Sequence, residues 1–139
     1  MRASDVLVRA LEFWGQGGEQ WIQTTLGDYS GACLVGGISM AALGRPEYLD
    51  AIEAVAQGGR ISIAGVTPYK QAMKYVWDEL NARGLITSNL ECGKTSLQHE
   101  SALIRYNDSI AKSYGDVKSV VCGAVKRALA DEECVEVNQ

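Results

Sequence analysis

GACLVGGISMAAL, residues 31–43, is an apolar run punctuated by glycine and opening on a cysteine. Its reading decides the fold. So short an apolar segment fits a strand or a helix, and periodicity does not arbitrate. The favoured reading is a brief extended entry through Ala32, then a helix to about Leu43 closed by Gly44, on which the small residues Gly36, Gly37, Ser39, Ala41 and Ala42 would let another element approach closely. Two glycines weaken such a helix by up to about 1 kcal/mol each relative to alanine, so packing must supply the difference. That makes it a central helix which other elements approach closely.

Working outward, SDVLVRALEFW (4–14) predicts a helix with Ser4 as N-cap, Asp5 in its first turn and a GQGG tract ending it. Val6, Ala10 and Phe13 form one apolar row; Leu7, Leu11 and Trp14 form the next. QWIQTTL (20–26) alternates and is β-branched, which predicts a short strand, and GDYSG (27–31) a turn. Pro46 marks a helix start, with Leu49, Ile52 and Val55 on one stripe. RISIAGV (60–66) reads as a short strand or a loop, and Thr67-Pro68 as the N-cap and first turn of a helix burying Ala72, Tyr75, Val76 and Leu80. Gly84 stops that helix, residues 87–96 are the least regular, and SLQHESALIRY (96–106) is helical again. DVKSVVCGAVKRALA (116–130) is the last helix, with Val117, Val120, Val121, Ala124, Val125 and Ala128 inward. The acidic tail 132–139 is expected to fray. The expectation is one helix-dominated α+β domain over residues 1–131, with five to six helices and a small strand or hairpin element.

At 139 residues the chain can build a core without staples. A net charge of −4 argues against a surface devoted to phosphate neutralisation, so nucleic acid is not the expected partner. Cys33, Cys92, Cys122 and Cys134 show no Cys-x-x-Cys spacing and His99 is the single histidine, so neither a metal nor another cofactor is expected. No apolar run reaches the roughly 18 residues of a membrane span, and no basic-plus-apolar leader opens the chain. A cytoplasmic protein, monomer or homodimer, is the default.

Three stretches now stand in order: WIQTTLGDYSGACLVGGISMAA, RYND and DVKSVVCGAVKRALA. Together they resemble an uncharacterised family of small proteins of actinobacteria and their phages. Its members carry a Trp-x-Gln segment, a Cys-Leu-x-Gly-Ala helix start and a Trp-Asn-Asp triplet before a final Val- and Ala-rich helix. Trp21 and Gln23 match the first motif, Cys33, Leu34 and Gly36 the second, Asn107 and Asp108 the third. Tyr106 replaces the tryptophan, and residues 58–96 have no counterpart. The resemblance implies a compact fold and a phage or actinobacterial origin, with the host-cell cytoplasm as location if phage-encoded. It carries over no catalytic residue.

Three functional readings follow. The leading one is a non-enzymatic interaction protein that binds and modulates a host protein, with Tyr69, Tyr75 and Trp77 in the unmatched segment as contacts. The second is a small-molecule binder or cysteine-dependent enzyme, with a cleft formed by Trp21, Gln23, Cys33, Asn107 and Asp108. Cys33, His99 and Asn107 or Asp108 do follow a papain-like order, yet Cys33 sits among apolar neighbours that favour a core thiol. The third is a winged-helix-like DNA-binding regulator contacting phosphates through Lys70, Lys74 and Arg83, opposed by Asp78 and Glu79 on the same helix.

Overall fold

The computed structural model of the chain describes residues 1–52, 63–86 and 94–137. The opening helix α1 spans Ala3–Trp14. It starts before the expected Ser4 cap because the Asp5 carboxylate accepts a bond from the Arg2 backbone N–H at 2.9 Å, closing the first turn one residue early. Ser4 is buried inside the helix, and its hydroxyl donates to Glu132 at 2.6 Å. Val6, Leu7, Ala10 and Trp14 form the core-facing stripe, with Leu11 and Phe13 at its margin.

The strand expected over residues 20–26 is absent. Trp21 makes one parallel bridge to Ala32, and the chain then turns away. The cause is Thr24, which adopts φ +72 in the left-handed region that β-branched residues rarely visit. Such strain costs about 1–3 kcal/mol. Thr24→Gly is therefore expected to stabilise the fold by about 0.5–1 kcal/mol after the added chain entropy of glycine is counted. Thermal unfolding followed by circular dichroism, with a midpoint raised by a few degrees, checks it.

The GDYSG turn is where it was expected. Strands β1 (Gly27–Asp28) and β2 (Gly31–Ala32) form an antiparallel hairpin. The Asp28 carboxylate accepts from the Ser30 N–H and hydroxyl, closing the turn. Helix α2 (Leu34–Leu43) follows directly, with Cys33 as N-cap and Gly44 at φ +80 as terminator. It is buried along most of its length. A side chain at Gly37 would collide with the Trp14 indole, its Cβ 2.3 Å from Cζ2, and one at Gly36 with the Leu26 carbonyl oxygen at 2.1 Å. Close approach at these two glycines is the packing that offsets their poor helix propensity.

Pro46 does not open the next helix. Ser39 Oγ donates to the Arg45 carbonyl and accepts from the Glu47 N–H, tying down the non-helical connection that contains Pro46. The helical turn begins at Leu49, whose N–H is capped by the buried Glu100 carboxylate at 2.7 Å. Leu49 and Ile52 face the core, whereas Val55 lies outside the described residues.

Helix α3 spans Ile63–Ala82, so the strand reading of 60–66 fails over its described part, and Pro68 lies inside the helix rather than at its start. The extra turn is held by tertiary packing. Gly65 rests so closely on the C-terminal end of α2 that a Cβ there would approach the Ala42 carbonyl oxygen to 2.6 Å. Tyr69, Ala72, Met73, Val76 and Leu80 are fully buried, and Gly84 at φ +73 ends the segment as expected.

Thr95 and Gln98 form a capping box at the start of α4 (Ser96–Arg105). A π-helical turn, Tyr106–Ile110, connects it to α5 (Tyr114–Val137). Of the tail 132–139, residues up to Val137 continue α5, with Glu132 bonded to the Ser4 N–H and hydroxyl, and 138–139 lie outside the described residues. The result is a helix-dominated α+β fold with a two-stranded hairpin. Helices α1, α3 and α5 pack together, with α2 against α1 and α3. Among the described residues no helix is long and apolar enough to cross a membrane.

Candidate functional site

Asn107 lies on the π-helical turn and is fully buried. Its Oδ1 accepts from Trp21 Nε1 at 2.7 Å and from the Leu34 N–H at 3.0 Å. Its Nδ2 donates to the Ile22 carbonyl at 3.1 Å and to Asp108 Oδ1 at 2.9 Å. Two donors face one end of the amide and two acceptors the other, so the network dictates its orientation and uses its full capacity. The π-turn shifts the backbone register and exposes carbonyls that an α-helix would have satisfied. Gln23 Nε2 bonds two carbonyls there, Asn107 at 2.8 Å and Ala111 at 3.1 Å. Asp108 Oδ1 also accepts from the N–H of the strained Thr24 at 2.9 Å.

The sequence expectation therefore places the right residues together, but their relation differs. Trp21, Gln23, Asn107 and Asp108 bond one another directly instead of facing across a cleft. Asn107 also caps a helix, since its Oδ1 accepts from the Leu34 N–H at the start of α2.

Cys33 adjoins this clasp as the N-cap of α2, its sulfur 3.4 Å from the Gly36 N–H. It is 4% exposed, and burial pushes its thiol pKa upward against the smaller pull of the Gly36 bond. This is the setting of a core cysteine, since a reactive thiol needs its pKa lowered. His99 is buried on α4 with its ring 5.6 Å from that of Trp77. Cys33, Cys122 and Cys134 are free thiols, and among the described residues no group of three or more His, Cys, Asp or Glu could hold a metal ion.

The aromatic contact trio is dispersed. Tyr69 is fully buried with its hydroxyl donating to Glu100 at 3.2 Å, so it offers nothing to a partner. Trp77 is partly buried against the core. Tyr75 is also half-buried, but its hydroxyl reaches a surface cleft and donates to Asp131 at 2.8 Å.

Burial, and then the Asp131 hydrogen bond, pushes the Tyr75 pKa up to about 12. Burial alone leads the rise of Tyr106 to about 12, and burial also raises Tyr69. In each case the fold favours the neutral phenol. Its contribution is present below the unfolded value near 10 and is lost as pH climbs from there toward about 12. A native titration followed by tyrosinate absorbance is expected to lag the urea-unfolded one across this window. Urea midpoints should fall over the same range.

Comparison with known families, with curated proteins and with solved structures returns no match.

The open concave surface lies elsewhere. A cleft of about 660 Å³ opens between the start of α1, α3 and the far end of α5, bordered by Arg2, Lys74, Tyr75, Asp131 and Glu132. On the other side of Arg2, a second cleft of about 400 Å³ is lined by Val8, Arg9, Glu12 and Leu129. Met1, Val8 and Leu129 are large apolar residues exposed by 55%, 41% and 38%. Sequence reasoning missed this face, because helical periodicity identifies apolar stripes but not which exposed residues of separate helices meet. Exposed Val8 among charged neighbours was the available signal.

Proposed function

We propose that the protein is a small non-enzymatic interaction module whose contact face is the junction of α1, α3 and α5. The observation that carries this reading is the grouping of Met1, Val8 and Leu129 around two clefts that share Arg2. Apolar side chains rimmed by charges of both signs, here Arg2, Lys74, Asp131 and Glu132, match the build of protein interfaces. Tyr75 supplies the aromatic anchor, the one member of the expected trio that borders this face. The resemblance to actinobacteriophage proteins supports a host protein as the partner, and binding as the means of modulating it.

The clasp around Asn107 favours neither alternative. Its polar atoms serve the fold, and the raised pKa of Cys33 lowers its thiolate fraction at neutral pH. Lys74 and Arg83, named for DNA contact, are each held by an acidic residue one turn away, Asp78 and Glu79.

A photo-crosslinking side chain placed at Val8, Leu129 or, as a control, Lys112 tests the reading in an actinobacterial lysate. The expected result is one host protein joined from positions 8 and 129 but not from 112. Capture should weaken at least tenfold when Leu129→Glu is added to the Val8 probe. Equal labelling from all three positions, or none, would overturn it.

A further inference from the structure

Helices α3 and α5 run antiparallel, and the margin of their seam is a polar ladder. Tyr75 pairs with Asp131 at 2.8 Å, and Glu79 with Arg127 at 2.6 Å. Each step moves four residues up one helix and four down the other, one turn apiece. Continuing that register sets Arg83 opposite Gly123, where there is no side chain. Arg83 reaches on to Ser119 instead, bonding its hydroxyl and its carbonyl at 3.1 Å each. The Glu79 carboxylate rests over Gly123, and a cleft of about 410 Å³ opens beside them. A Cβ at that glycine would lie 2.5 Å from the Glu79 carboxyl carbon.

The charge of this cleft runs against that of the chain. Arg83, Lys126 and Arg127 line it, with Glu79 as the single anion, giving net +2 in a protein of net −4. Arg83 is fully engaged, by Glu79 through Nε and by Ser119 through both Nη atoms. Arg127 lines the cleft and bonds Glu79 through Nε, and its two Nη groups, a donor fork, make no hydrogen bond among the described residues. Lys126 has no hydrogen bond or ion pair among the described residues. An adjoining cleft of about 270 Å³ shares Arg83 and Ser119, and Leu85, Tyr106 and Ile110 give it apolar walls. Its one acidic residue, Asp116, is engaged by the Lys112 N–H at 2.9 Å.

We infer that the Gly123 cleft binds a phosphate monoester with an apolar or aromatic body. The phosphate dianion would balance the net +2, held by the Arg127 fork, Lys126 and the Ser119 hydroxyl. The body would lie along Leu85 and Ile110. A monoanionic carboxylate or sulfate ester leaves one positive charge uncompensated, so charge selects the dianion. This site does not depend on the partner-binding face, which lies at the other end of the seam.

Amide chemical shifts of the full-length ¹⁵N-labelled chain, titrated with phenyl phosphate at low salt and pH 7.5, test the proposal. Saturable shifts are expected at Ser119, Gly123, Lys126 and Arg127, with phenyl sulfate binding at least tenfold more weakly. Lys126→Ala, a change at an exposed residue without partners, should weaken phenyl phosphate at least fivefold and leave the rest of the spectrum intact. At pH 5 affinity should drop about tenfold, because the ester gains a proton near pH 6. Glu79 stays ionised there, since the Arg127 hydrogen bond holds its carboxyl below the usual range. No saturable shift, equal affinity for the sulfate, or indifference to Lys126→Ala would overturn the site. A phosphotyrosine peptide that binds tighter than phenyl phosphate identifies a phosphorylated protein segment as the source. Equal or weaker binding identifies a free metabolite.

Discussion

Asn107→Leu is expected to destabilise the fold by about 3–5 kcal/mol, a large share of the roughly 5–15 kcal/mol that holds a domain of this size together. Leucine keeps the volume but removes all four hydrogen bonds of the amide. The Leu34 N–H at the start of α2 is buried and would have no replacement, and the Ile22 carbonyl and Trp21 indole N–H would lose their partners too. Each buried polar group left unmade costs about 1–3 kcal/mol. Asn107→Asp separates the two ends of the amide. It retains the acceptor for Trp21 and Leu34, but turns the donor toward Ile22 and Asp108 into a second acceptor. Its loss at neutral pH should be comparable, and partly recovered near pH 4 as the new carboxyl takes up a proton. Urea denaturation of both variants at the two pH values measures this. A cost below about 1 kcal/mol for leucine would show that the clasp is not the structural centre described here.

Gly37→Ala is expected to cost about 2–4 kcal/mol, although alanine is the better helix former by about 1 kcal/mol. The added methyl would lie 2.3–2.6 Å from three atoms of the Trp14 indole. That ring has no freedom to retreat, being fully buried with its Nε1–H donating to the Ala32 carbonyl at 3.0 Å. Relief requires α1 and α2 to separate, which strains the core around Val6, Leu7 and Ile38. Trp14 fluorescence and the urea midpoint report both consequences. Gly44→Ala is the useful contrast: nothing lies within 4 Å of its Cβ position, so its penalty comes from φ +80 alone.

The central helix was legible because small residues in an apolar run have one physical use, close approach, and α2 employs them in that way against Trp14 and Leu26. The hairpin turn was legible from Asp28 and Ser30, whose side chains act locally. Readings failed where a distant partner outweighed a local signal. Ser4 resembles a cap but is claimed by Glu132, 128 residues away. Thr67-Pro68 is a good helix start by propensity, yet the docking of Gly65 on α2 begins the helix earlier. The alternating stretch 20–26 reads as a strand, and no residue type there announces that Thr24 will be held at positive φ with its N–H on Asp108. The residues of the clasp were legible as a set, but only coordinates distinguish side chains that bond one another from side chains that wait for a ligand.

The clasp also bears on how the chain folds. Apart from the bond between the adjacent Asn107 and Asp108, its bonds join residues 73 to 88 positions apart, so each of these needs a long loop to close before it contributes. The hairpin and the helices form from nearby residues and need no such wait. Asn107 is accordingly a group that locks after the rate-limiting barrier rather than before it. Its loss should leave the folding rate nearly unchanged and appear almost wholly as faster unfolding. In a cell, a protein held this way owes its lifetime against proteolysis to one late-forming amide.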